Sequence, residues 1–162
     1  MSRNFAIAFG VGLAVIALAV AGVLFMQRGS AIALDGRILK VRTAPLDENS
    51  TVAVIDFRIS NPSDIVFQVR QVEVEMVDTK GTPYFGDVIS EGDAKRVFEA
   101  LPVLGTKFLN TLSMQERINS HSTGDHMVAV RFQAPVAQVD ARAKLVLRIN
   151  ESDGKSFEFS ER

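Results

Sequence analysis

The chain divides by hydropathy pattern. Phe5 to Met26 is an uninterrupted apolar run without a single charge, and from Ala31 onward apolar and polar positions alternate instead. At the helical rise the first segment would extend roughly 33 Å, the scale of a bilayer core of about 30 Å, and predicts a single transmembrane helix. Helix is the one form in which a lone segment satisfies its own backbone in lipid. A cleaved signal peptide is the competing reading, with Arg3 as basic flank and Ala19-Val20-Ala21 as cleavage site. It would leave Val23-Leu24-Phe25-Met26 as an apolar N-terminus, which favours the anchor. The expected organisation is a short tail over 1–4, a helix over 5–26, a polar hinge over 27–30 and one domain over 31–162.

Beyond the hinge, period two dominates. Ala53, Ile55, Phe57 and Ile59 alternate with Val54, Asp56, Arg58 and Ser60, the pattern of a strand with one face in a core. Asn61-Pro62-Ser63-Asp64 stops it, since proline lacks a donor and Asn and Ser close local turns. In the next run Ile65, Phe67 and Val69 are apolar on odd positions, whereas Val72, Val74 and Met76 are apolar on even ones. One face cannot hold both sets without an extra residue, so a bulge or strand switch is expected at Arg70-Gln71. Asp78 to Gly81 reads as a turn, followed by a short strand over Thr82 to Ile89 that Pro83 confines to an edge or a strand start.

Over Glu91 to Leu101 the period becomes helical, with Ala94, Val97, Phe98 and Leu101 on one face. Ser90 and Asp93 have the spacing of a capping box, and Pro102 ends the helix. Val103 to Met114 is apolar without period and is expected to be a loop covering one end of the core. Alternation returns in Val128, Val130 and Phe132, then in Ala143, Leu145, Leu147 and Ile149. Asn150 to Gly154 makes a hairpin loop, closed by Phe157 and Phe159. Roughly seven strands and one inserted short helix point to a mainly β fold, an immunoglobulin-like antiparallel β-sandwich preceded by the transmembrane helix.

Composition narrows the function. Eighteen Lys and Arg balance 19 Asp and Glu without a basic stripe, so nucleic acid is not an expected partner. The chain has no cysteine, which excludes disulfides, thiolate zinc sites and cysteine nucleophiles. Arg3 on one side of the apolar run competes with Arg28, Arg37, Lys40 and Arg42 on the other. A literal positive-inside count places the C-terminal domain in the cytoplasm, but the basic residues beyond Arg28 belong to an expected strand and the N-terminal tail is short, which favours a membrane-held, extracytoplasmic domain, periplasmic if the source is bacterial.

Phe57-Arg58-Ile59-Ser60-Asn61-Pro62-Ser63, followed by Phe67 to Met76, resembles the late-embryogenesis-abundant type 2 domain, also called the water stress and hypersensitive response domain. The resemblance covers Val52 to Gly81. It implies a β-sandwich, often tethered by one N-terminal helix, and a link to stress protection; it brings no catalytic residues. The helix over Glu91 to Leu101 departs from it and suggests a bacterial single-pass relative of unassigned role.

Candidate chemistry is sparse. His121 and His126 flank Ser122-Thr123-Gly124-Asp125, but five-residue spacing without further ligands matches no metal pattern. Asp87, Glu91 and Asp93 gather at the predicted helix start, where acids favour the helix dipole. No Gly-x-Ser-x-Gly elbow is present. Asn49-Ser50-Thr51 and Asn150-Glu151-Ser152 match glycosylation triplets, which bear only on a lumenal eukaryotic domain. Leu101, Val103, Leu104, Phe108, Leu109 and Leu112 could cap a lipid or docking groove, or simply cover the core. The expectation is a noncatalytic interaction or structural module at the membrane, with no enzyme site, metal or cofactor. Its expected partners are the membrane through Phe5 to Met26 and a protein or envelope component. The alternative is a stress-protection protein binding lipid or another apolar ligand, ahead of a metal-dependent enzyme.

Overall fold

The computed structural model describes residues 3–27 and 33–161, with side chains for 9–24 and 33–161. Its elements are α1 (Arg3–Gln27), β1 (Asp35–Asp47), β2 (Ser50–Asn61), β3 (Phe67–Val77), β4 (Pro83–Val88), α2 (Glu91–Ala100), a 3₁₀ turn (Pro102–Leu104), β5 (Arg117–Ile118), β6 (Ser122–Phe132), α3 (Val136–Asp140), β7 (Lys144–Glu151) and β8 (Ser156–Ser160).

Two parts of the expected fold class require correction. A helix forms over the apolar run, but among the described residues no helix is long and apolar enough to cross a membrane. The hinge expected over 27–30 lies, apart from Gln27, outside the described residues. The second correction concerns the sheet. An immunoglobulin-like sandwich has two separate sheets, whereas here a single antiparallel sheet of eight strands runs β1-β2-β6-β4-β3-β7-β8, with β5 joined to β3. It curls into a half-barrel because β4 belongs to both halves. Pro83 to Gly86 pair with Val77 to Val74 of β3, and Asp87 and Val88 then pair with Arg131 and Val130 of β6. Alternation along a strand reveals which residues face inward but not which strand lies beside it.

Inside the curl, Ile55, Phe57, Phe67, Phe132, Leu145 and Leu147 belong to one buried cluster with Met76 and Phe159. The odd-to-even switch in β3 is a bulge, with Val69 opposite Glu151 and Gln71 opposite Asn150. The extra residue lets Val69 and Val72 both enter this core. Asn61, fully buried, donates through Nδ2 to the carbonyls of Ile65 (2.7 Å) and Ile118 (3.1 Å), which fastens the Asn-Pro turn to β5. At the β7–β8 hairpin, Gly154 takes φ +90°, the left-handed region glycine enters without steric cost.

A second cluster lies outside the curl. Val52 and Val54 of β2, on the face expected to be polar, are buried with Met127 and Ala129 beneath Ala94, Phe98 and Leu104. The helix therefore covers the convex face of the β1-β2-β6 half. Ser90 caps it as the spacing predicts, its hydroxyl accepting from the Asp93 amide at 3.2 Å. Arg42 secures the cover: it forks onto Asp56 at 2.9 and 3.0 Å, donates to Leu104 O at 2.7 Å and lies over the Phe98 ring. The expected loop over Val103 to Met114 splits its duty. Leu104 joins the outer cluster and Leu112 the inner one, while Val103 and Phe108 are exposed. The short α3 was not expected, because a single turn after Pro135 has no room to display a helical period.

Candidate functional site

The two histidines do not converge. His121, in the left-handed region at φ 53°, holds its Nε2 2.8 Å from Asp64 Oδ1 in an exposed pair. His126 projects from β6 and stacks on Phe57 with ring centroids 6.2 Å apart. Its Nδ1 stands 3.6 Å from Glu116 Oε1, beyond hydrogen-bond reach, and is buried without a partner. Among the described residues no group of three or more His, Asp or Glu is placed to hold a metal.

The acidic group near α2 also separates into roles. Asp93 serves the cap, accepting from Ser90 Oγ at 2.8 Å and from Arg96 at 3.3 Å. Glu91 reaches across to the following loop, where one oxygen accepts from Lys107 Nζ at 2.7 Å and the other from the Thr111 amide at 3.0 Å. Those bonds, Lys107 first, hold its carboxyl below the ordinary range. Asp87 makes no side-chain hydrogen bond or ion pair among the described residues. Arg131, opposite it in register on β6, forms no ion pair with it.

Asp87 and Glu91 instead border a cleft of about 680 Å³, within the range of ligand-binding pockets. It opens where β4 leaves β3. One wall is Gln71 to Val74 of β3; the other is Phe85 to Val88 of β4 and the start of α2; the lip is Thr111 to Met114. Its lining is mainly apolar, and Phe85 and Met114 are exposed at 69% and 73%. Gly86 stands at the divergence. A Cβ there would approach Val130 Cβ to 3.0 Å and Phe132 Cε1 to 3.1 Å, so a larger residue would crowd β6. Thr111 is 6% exposed, and its Oγ1 is buried without a hydrogen-bond partner. No Lys, Arg or His is among the lining residues.

Of the groove suggested by the apolar surplus between Phe98 and Leu112, only Leu112 lines this cleft. Val72, Phe85, Gly86 and Met114 were readable as strand and loop positions but not as cleft residues, because the cleft arises from an exchange of strand partners and not from a motif. Asp87 and Glu91 were visible as acids but not as its rim.

No protein-family model matches the chain, and no curated protein matches it. Solved structures give similarities of fold. The ApaA protein of Bordetella pertussis is 13% identical, with a TM-score of 0.40 over 81% of this chain and 89% of its own. A β-sandwich protein from Clostridium difficile 630 is 16% identical, with a TM-score of 0.36 over 82% of each chain. The archaellum periplasmic stator protein FlaG from Sulfolobus acidocaldarius is 11% identical, with a TM-score of 0.34 over 80% of this chain and all of that one. The likeness is to β-sandwich-like architecture alone, and no link to the late-embryogenesis-abundant type 2 domain emerges from it.

Proposed function

We propose that the protein is a noncatalytic interaction module that holds a segment of another polypeptide in the cleft between β3 and β4. The observation that carries this reading is the combination found there: an apolar lining with exposed Phe85 and Met114, and an Asp87 carboxylate at the rim that makes no hydrogen bond or ion pair among the described residues. Aromatic and methionine side chains at a concave surface are characteristic anchors for polypeptide partners. The uncommitted Asp87 carboxylate, with no cation among the lining residues, disfavours a fatty acid or other anionic lipid as occupant.

Selection of random peptides displayed on phage against the full chain tests the reading. Selected peptides are expected to lose about tenfold or more in affinity to the Phe85→Asp variant, whose exposed position leaves folding intact. Peptides indifferent to Phe85→Asp would refute the assignment of the cleft. Native mass spectrometry supplies the opposing outcome: a copurifying neutral lipid that Phe85→Asp releases would make the cleft an apolar-ligand site instead.

A further inference from the structure

We infer that the occupant of this cleft is a short extended segment that pairs with the backbone of Val72 and presents a Lys or Arg side chain to Asp87. This rests on the reading of the cleft as a polypeptide site and specifies the chemistry of its occupant.

Along an antiparallel strand the hydrogen-bonding side alternates from one residue to the next. Asp78 N donates to Thr82 O at 3.0 Å toward β4, while Val77 O accepts from Ala143 N at 2.8 Å toward β7. Even positions of β3 therefore turn their N–H and C=O toward β4, and Val72 shares that side. Beyond the bulge the parity shifts. Val69 N donates to Glu116 O at 2.9 Å and Val69 O accepts from Gln115 N at 2.7 Å, so Val69 is satisfied by the segment leading into β5. Val74 is opposite Gly86, and β4 then departs to pair with β6. Among the described residues, no strand stands beside Val72 on the cleft side. Its N–H and C=O form an open piece of edge between two closed ones, and from Val69 to Val74 that edge runs about 16 Å. An added strand of about four residues fits this length.

Charge selects the side chain. Glu73 is taken up by Arg148 at 3.3 Å and Asn150 at 3.0 Å, and Glu91 by Lys107 and the Thr111 amide. Asp87 keeps an uncommitted carboxylate beside exposed Phe85 and Val88. A cation flanked by apolar side chains complements that arrangement.

The test uses the phage-selected peptides that depend on Phe85. They are expected to carry Lys or Arg next to apolar residues, and N-methylation of one central backbone amide should weaken binding about tenfold. Asp87→Asn should reduce affinity about fivefold, and Asp87→Lys should transfer the preference to peptides with Glu at that position. Circular dichroism melts of both Asp87 variants are expected to match the parent, since the side chain is exposed. Phe85-dependent peptides that tolerate N-methylation at every position and ignore Asp87 would overturn the inference while leaving the cleft as the binding site. Absence of any Phe85-dependent peptide would overturn both.

Discussion

Glu151 ends β7 with a carboxylate at 3% exposure, and its Oε2 is buried without a hydrogen-bond partner. Burial, with Asp153 nearby, raises its pKa above the ordinary 4.5, against a smaller opposing pull from Lys155. Between the unfolded and folded values the native state retains a proton that the unfolded chain has released. Stability therefore falls as pH rises through that window, and the penalty is complete above the folded value. Glu151→Gln removes the ionisable group, so it is expected to stabilise the protein near pH 7 and to have little effect below about pH 4. Urea denaturation at the two pH values is the check; an equal gain at both, or a loss at neutral pH, would contradict the account. Asp78 shows the opposite case. Bonds from the Thr82 and Lys80 amides, together with Gln138, hold its pKa down, and the turn that it closes was legible as Asp78 to Gly81.

Among the elements, α2 was the easiest to read and the hardest to place. Its cap, its apolar face and its end at Pro102 all follow from local spacing, and Ser90 performs the predicted capping bond. Ser90→Ala is expected to cost about 1 kcal/mol by removing an acceptor for an otherwise unpaired amide. Chemical denaturation measures that cost, and hydrogen exchange should show the loss concentrated over Glu91–Ala100; a uniform loss across the sheet would speak against a capping role. Where the helix docks was not legible, since Val52 and Val54 look like ordinary members of an alternating strand until α2 covers them. The bulge at Arg70 is the converse case. Parity of side chains along one strand is a local property, and it located the extra residue without knowledge of any partner strand.

For the whole molecule, the decisive feature is how nearly the curled sheet closes. Strands β1 and β8 end the sheet, yet they approach each other at Gly36. A Cβ at that position would lie 2.8 Å from Phe159 Cζ and 3.0 Å from Arg58 O. Glycine there is what allows the Phe159 ring to fill the seam. Gly36→Ala should destabilise the fold by about 1–3 kcal/mol through overpacking, and Phe159→Leu on that background should recover part of the loss. A double-mutant cycle by denaturant unfolding measures the coupling, and strictly additive effects would exclude the contact as the cause.

The amino-acid sequence by itself determined the mainly β character, the turns, the bulge and the capped helix. Each depends on dihedral preference and side-chain parity within a few residues of chain. Tertiary structure alone decided that the strands form one curled sheet instead of a two-sheet sandwich, that β4 changes partners at Gly86, and that a cleft opens beside Val72. Those features depend on which distant strands share hydrogen bonds, and alternation is the same for every antiparallel pairing that buries the same face.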